Sequence, residues 1–500
     1  TASGADVIGI FGDGLKGAGT WTQAYEANNL GTIDFSSSNK ATAIYLNNAR
    51  GENKGTVKVN DSSIAFYGQG NGSEIYNNGA VEIGNNSVGL YGNDIDIIEN
   101  LSGAVIKDKG TSNTGIYNIK TTSGATAINN NGLIELGNDG VGIYAENSVI
   151  TNTGNIIVGD KVNKNSLGIY AKDSILNDTG NVKVGNSGIA YYGDNSTLNL
   201  NAASVDIGND GVLAYGINNT FIDYNLGNKT TSENTFVYLI NSNVDFNNAE
   251  ITVGKNGLGV YQDGASSTLG YKKLYVKENG AGIYGYQTNL FNVGDIELTE
   301  KNSVGIIAED SDATNNALKT IKTNDSNSVG IYSVLKNALP LKSVINNGEI
   351  NVSGDKSIGI YGNTLNSVGA SLGTIEIWNN NSIKLGNASN INNAIIGIYG
   401  TEGTEINTNA VSTIFGGSNV VGIYSDNGII DHKGLIDVQD NSVGVYASGG
   451  TANIDNNSAI KVGNNGAVAL YVNDGGVLTN NSSNITVGNE SIIGYSKDSG

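Results

Sequence analysis

One tyrosine returns every 22 to 27 residues along most of this chain, within a motif of the form apolar–Gly–apolar–Tyr–small. Copies are Val88-Gly89-Leu90-Tyr91-Gly92, Val141-Gly142-Ile143-Tyr144-Ala145 and Leu167-Gly168-Ile169-Tyr170-Ala171. Later ones are Ile358-Gly359-Ile360-Tyr361-Gly362, Val421-Gly422-Ile423-Tyr424-Ser425 and Val443-Gly444-Val445-Tyr446-Ala447. A fixed period of this length belongs to a stack of like units, none of which buries a core alone. It excludes a fold of mixed elements and directs the search for function to the outer faces and the irregular repeats.

Around each marker lie two more short runs that alternate apolar with polar residues, bounded by Gly, Asn, Asp or Ser. Asn152-Thr153-Gly154-Asn155-Ile156-Ile157-Val158-Gly159 precedes one marker, and Ser148-Val149-Ile150-Thr151-Asn152 follows another. These are strand and turn signals, and no stretch shows sustained helical spacing. Three short strands in a repeat of roughly 23 residues make one rung of a right-handed parallel β-helix. About 20 such rungs, stacked about 4.8 Å apart, give an all-β rod on the order of 95 Å long. A propeller blade needs about 40 to 50 residues, so the period argues against one. The chain is expected to form a single continuous element over residues 1–500, with loop insertions near 12–40, 333–357 and 363–393.

Alternation along the marker strand places Val141, Ile143 and Ala145 inside, with Gly142 and Tyr144 outside. The tyrosines Tyr91, Tyr117, Tyr144, Tyr170, Tyr261, Tyr284, Tyr361, Tyr424 and Tyr446 are then expected to stack as an outward ladder of rings. Such a ladder stiffens its face, and it also offers a strip for protein or sugar. Asparagine runs such as Asn129-Asn130-Asn131 and Asn379-Asn380-Asn381 read as corners, since Asn tolerates left-handed backbone and its amide can bond to the next rung.

Composition narrows the function. A net charge of −20 disfavours nucleic acid and anionic lipid, which need a basic surface. There is no cysteine, so no disulfide or thiolate metal site exists. The single proline, Pro340, suits a body made of ladder hydrogen bonds. Methionine is absent, no apolar run is long enough to span a bilayer, and neither end resembles a cap. The chain is therefore expected to be a segment of a longer rod.

Catalytic motifs are few. His432 is the only histidine, which nearly excludes a Ser–His–Asp triad or a histidine metal cage, and it reads as a surface corner residue. Gly68-Gln69-Gly70-Asn71-Gly72 lacks the lysine and helix of a phosphate loop. Asp94, Asp96 and Glu99 read as a solvated acidic face. Paired carboxylates would make a polysaccharide-cleaving β-helix, the enzyme alternative. No metal and no cofactor are expected. The ligand-binding candidates are the irregular rungs, because extra length becomes a loop. They supply Trp21, Tyr25 and Glu26, and Glu376, Trp378 and Asn379. A tryptophan beside acids and amides suits a sugar platform.

The Ser-Val-Gly-Ile-Tyr repeats, alternating with Asn-x-Gly-x-Ile-x-Val-Gly, resemble the passenger regions of the very large autotransporter adhesins of fusobacteria, over nearly the whole chain. The resemblance implies a non-enzymatic, type V secreted adhesin on the bacterial cell surface. It implies anchorage by a C-terminal outer-membrane barrel that this stretch lacks. Implied partners are host cell-surface glycans or receptor proteins and other bacterial surfaces, met by a monomeric rod. A purely structural stalk is the alternative, and a polysaccharide lyase or hydrolase the third reading.

Overall fold

The computed structural model describes residues 6–14, 26–108, 110–230, 233–338 and 341–497. They divide into two compact units, Thr1–Gly227 with Asn234–Asn247 and Asn228–Glu233 with Asn248–Gly500. Each is a right-handed parallel β-helix, and the protein is all-β.

One rung of the first unit shows the construction. The marker strand Val141–Glu146 is followed by Ser148–Asn152 and then by Asn155–Val158. Asn147 turns the first corner in left-handed backbone at φ 49°, a conformation Asn accepts more readily than most residues. Each strand pairs in parallel with its equivalents in the rungs on either side. Tyr144 lies opposite Tyr117 and Tyr170, Ile150 opposite Ile128 and Leu176, and Ile156 opposite Ile134 and Val182. Among the described residues the unit has ten marker strands, from Ile8–Asp13 to Thr235–Ile240. The second unit also has ten, from Leu258–Asp263 to Ile492–Lys497.

Ile143, Ala145, Ile150, Ile156 and Val158 fill the bore of this rung and are buried. Each large aliphatic removed from water contributes roughly 1.5–3 kcal/mol. The expected alternation fails at one point. Gly142 faces inward beside Ile143, and Val141 stays half-buried on the outside with Tyr144. The pairing register passes over Gly142, matching Val141 with Leu167 and then Ile143 with Ile169. A Cβ on Gly142 would lie 2.4 Å from the Gly168 carbonyl oxygen and 2.5 Å from Ile156 Cγ2. Glycine thus absorbs a local break in the two-residue period and lets the next rung approach closely. Leu213 and Phe236 occupy the same slot in other rungs and are also buried, so the slot itself is inward.

The asparagine runs send one member inward. In the first unit Asn29, Asn53, Asn77, Asn100, Asn130 and Asn152 are buried, and each Nδ2 donates to the next side-chain oxygen at 2.7–2.9 Å. The row ends at Asp178, which also accepts from the Tyr191 hydroxyl at 2.5 Å and the Gly180 amide at 3.0 Å. In the second unit Tyr271 donates to Asn292, and Asn292, Asn315, Asn346 and Asn379 continue at 2.7–2.8 Å. Thr408 and His432 follow in the same sheet position, with Thr408 Oγ1 2.8 Å from His432 Nδ1. His432 is therefore not a surface corner residue. It is fully buried, and its Nε2 has no hydrogen-bond partner among the described residues.

The long step around Trp378 also differs from expectation. Trp378 is not on a loop, because Ile375–Asn379 is a regular strand paired with Lys342–Asn346 and Thr404–Thr408. The extra residues form two separate excursions, 364–374 and 386–394, the second holding a 3₁₀ turn at Ile391–Asn393. In the stretch 12–40, Glu26–Asn29 and Thr32–Phe35 are ordinary strands. Trp21 and Tyr25 lie outside the described residues.

Candidate binding face

The marker strands carry the tyrosines outward. In the first unit Phe11, Tyr45, Tyr67, Tyr91, Tyr117, Tyr144, Tyr170, Tyr192, Tyr215 and Tyr238 stack without interruption, with ring centroids 4.6–5.3 Å apart. Parallel strand spacing imposes this distance, and offset stacking of aromatic rings favours it. From Tyr45 onward the rings are half-buried. Beside them runs a second outward row that alternation hides, containing Ile64, Val88, Val141, Ile189 and Val212. It exists because two successive residues turn inward before the tyrosine, whether the first of them is Gly142, Ala65, Ala190 or Leu213, so the residue three before the tyrosine shares its face.

On the other side of the rings stands a polar row with Gln69, Glu146, Lys172 and Asp194. Tyr144 donates to Glu146 Oε1 at 2.5 Å, and Lys172 Nζ lies 3.2 Å from Glu146 Oε2. Burial is the main cause that raises the pKa values of Tyr91, Tyr117, Tyr144, Tyr170 and Tyr192, with nearby carboxylates adding to it at Tyr117, Tyr144, Tyr170 and Tyr192. These five phenols are thus neutral donors at physiological pH. The face is a ribbon of rings and aliphatics with a polar margin, suited to packing and hydrogen bonding.

The second unit carries a broken version. Tyr261 and Tyr284 stack at 5.4 Å, Ile307 takes the next slot, and the rings resume at Tyr332. Tyr284 reaches across to Glu309 Oε2 in the Ile307 rung at 2.5 Å. Tyr361 stacks on Tyr399 at 9°, Tyr399 meets Tyr424 edge-on at 73°, and Tyr424 stacks on Tyr446 at 24°.

The remaining candidate residues separate. Glu376 and Trp378 point outward together, with Trp378 Nε1 donating to Glu376 Oε2 at 3.1 Å. Asn379 faces the opposite way, fully buried and accepting from Asn346, so it does not share their surface. Glu26 is exposed and pairs with Arg50 at 3.4 Å. The acids Asp94 and Asp96 clamp a corner. Asp94 accepts from the Thr121 and Thr122 amides at 2.6 and 2.8 Å, and Asp96 pairs with Lys120 at 3.1 Å. Among the described residues no group of three or more His, Asp or Glu is placed to hold a metal ion, and no helix is long and apolar enough to cross a membrane.

Comparison with protein-family models, curated proteins and solved structures finds no match to this chain.

Proposed function

We propose that the protein is a non-enzymatic adhesin of the autotransporter-passenger kind, displayed on a bacterial surface and attaching it to host cells or other bacteria through glycans or receptor proteins. The unbroken outward strip of the first unit supports this reading. A repeated surface binds by multiplicity, since many weak contacts along one scaffold raise the total affinity. Outward Trp378 with Glu376 adds an aromatic platform with a fixed acceptor.

The stalk reading has one observation in its favour: the strip's rings already satisfy one another by stacking. Binding of the purified chain to cells and to a glycan array separates the two. With Tyr144 and Tyr170 both changed to Ser, adhesion is expected to fall about tenfold. Trp378→Ala is expected to lower glycan binding by a smaller factor. Unchanged adhesion in both variants favours the stalk. Release of unsaturated sugars from acidic polysaccharides favours a lyase.

A further inference from the structure

A groove of about 420 Å³ opens in the second unit beside the aromatic strip. The excursion 386–394 forms one wall, and the outward residues of several marker strands form the floor. Tyr424 and Tyr446 present their rings to it, at the point where the stack turns edge-on between Tyr399 and Tyr424. Ile358, Val443 and Ile391 supply the aliphatic surface.

The wall is held in place. Asp355 accepts from the Ser389 amide at 2.8 Å and its hydroxyl at 2.5 Å. The Lys356 amide donates to the Asn393 carbonyl at 3.0 Å, and Asn390 Oδ1 caps the Asn392 amide at 3.0 Å. Asn419 Nδ2 donates to the Ala388 carbonyl at 2.9 Å. A cleft fixed before its ligand arrives loses less entropy on binding.

Its chemistry is lopsided. Lys356 is the single charged group in the lining, Asn392 the only amide side chain, and no carboxylate faces in. Lys356 makes no ion pair among the described residues, although its charge is felt by the adjacent Asp355 carboxylate, which Ser389 holds. It is the one cation the groove offers a ligand, on a chain of net charge −20, so an acidic group is drawn here more than to most other places. A pyranose would bring hydroxyls that the aliphatic walls cannot pair, each costing about 1–3 kcal/mol. A flat apolar side chain has no such groups and stacks on tyrosine at low entropic cost.

We propose that this groove receives an aromatic side chain of a partner protein, with an adjacent carboxylate of that partner set against Lys356. The proposal rests on the adhesion reading and selects a protein partner within it.

Labelled peptides with a central Trp-Asp, Trp-Asn or Ala-Asp pair test it by fluorescence anisotropy on the full chain. Trp-Asp is expected to bind about tenfold more tightly than either of the others. Ile391→Asp, an exposed change in the wall, is expected to abolish binding. Lys356→Glu is expected to shift preference to a Trp-Lys peptide, which keeps the test decisive if Ile391→Asp fails to fold. Equal binding of all peptides, or none, overturns the proposal, as does binding unaltered by both substitutions. Occupation of the groove by an oligogalacturonate in place of the peptides also overturns it, in favour of sugar. Cell attachment is measured in parallel. Attachment that survives both substitutions overturns the groove as an anchor and leaves adhesion standing. Failure of the unmodified chain to attach defeats the adhesion reading itself.

Discussion

The buried amide row is built alike in the two units and closed differently in each. In the first, six asparagines pass their hydrogen bonds along and end on Asp178, whose oxygens are met by Asn152, Gly180 and Tyr191. In the second, Asn379 is left with an unpaired Nδ2, and His432 further on with an unpaired Nε2. An amide both donates and accepts, so a row of identical residues extends through any number of rungs. Its ends are where a donor or acceptor is left over, and the residue that closes the row sets the response to pH.

The largest expected effect comes from breaking the row in its middle. Asn130→Ala leaves Asn100 Nδ2 and Asn152 Oδ1 buried without partners, and is expected to destabilise the first unit by about 3 kcal/mol. Asn379→Ala strands only the Asn346 amide and is expected to cost about half as much. Urea unfolding with hydrogen exchange resolved by unit measures both. Equal losses would show that position in the row does not matter.

The pH response sharpens the contrast. Burial, only partly offset by backbone near Ala459 and by Asp431, lowers His432 from 6.5 to about 4. Between these values the unfolded chain binds a proton that the folded chain refuses. The second unit is thus expected to lose on the order of 3 kcal/mol as pH falls from about 6.5 to about 4. His432→Asn should flatten that slope. Asp178 has the opposite sign. Burial raises its carboxyl above 3.8, against the pull of Tyr191, Asn152 and Gly180. Its contribution is greatest below that value and lost as pH rises through the folded one. Asp178→Asn is expected to stabilise the first unit at neutral pH by about 1 kcal/mol, since it removes a buried charge and keeps an acceptor for Asn152. Thermal melts of each variant at several pH values check both signs.

The smallest effect concerns the outer strip. Ile307→Tyr should fill the missing place between Tyr284 and Tyr332 and stabilise the second unit by about 1 kcal/mol. A destabilising result would mean that the Tyr284–Glu309 bond already needs that space.

The repeat, the three strands per rung and the outward tyrosines were legible in the chain itself. A motif that recurs in parallel register must stack on itself, and a bulky half-polar ring beside a small residue belongs on the outside. His432 and Trp378 were misplaced for a shared reason. His432 was read as a surface corner and Trp378 as part of a loop, yet each occupies a regular strand, His432 in the inward slot of the amide row and Trp378 in the outward slot next to it. Chemical rarity is no guide to position when the backbone decides which way a side chain points.

Periodicity by itself therefore determined the coil, its rung and its aromatic row, because identical units in register leave few other arrangements. Tertiary structure alone decided which member of each asparagine run turns inward, where the alternation breaks and how the rows end. Those choices depend on contacts between rungs some 22 to 38 residues apart, such as the Gly168 carbonyl oxygen that would stand 2.4 Å from a Cβ added to Gly142, and no local pattern records them.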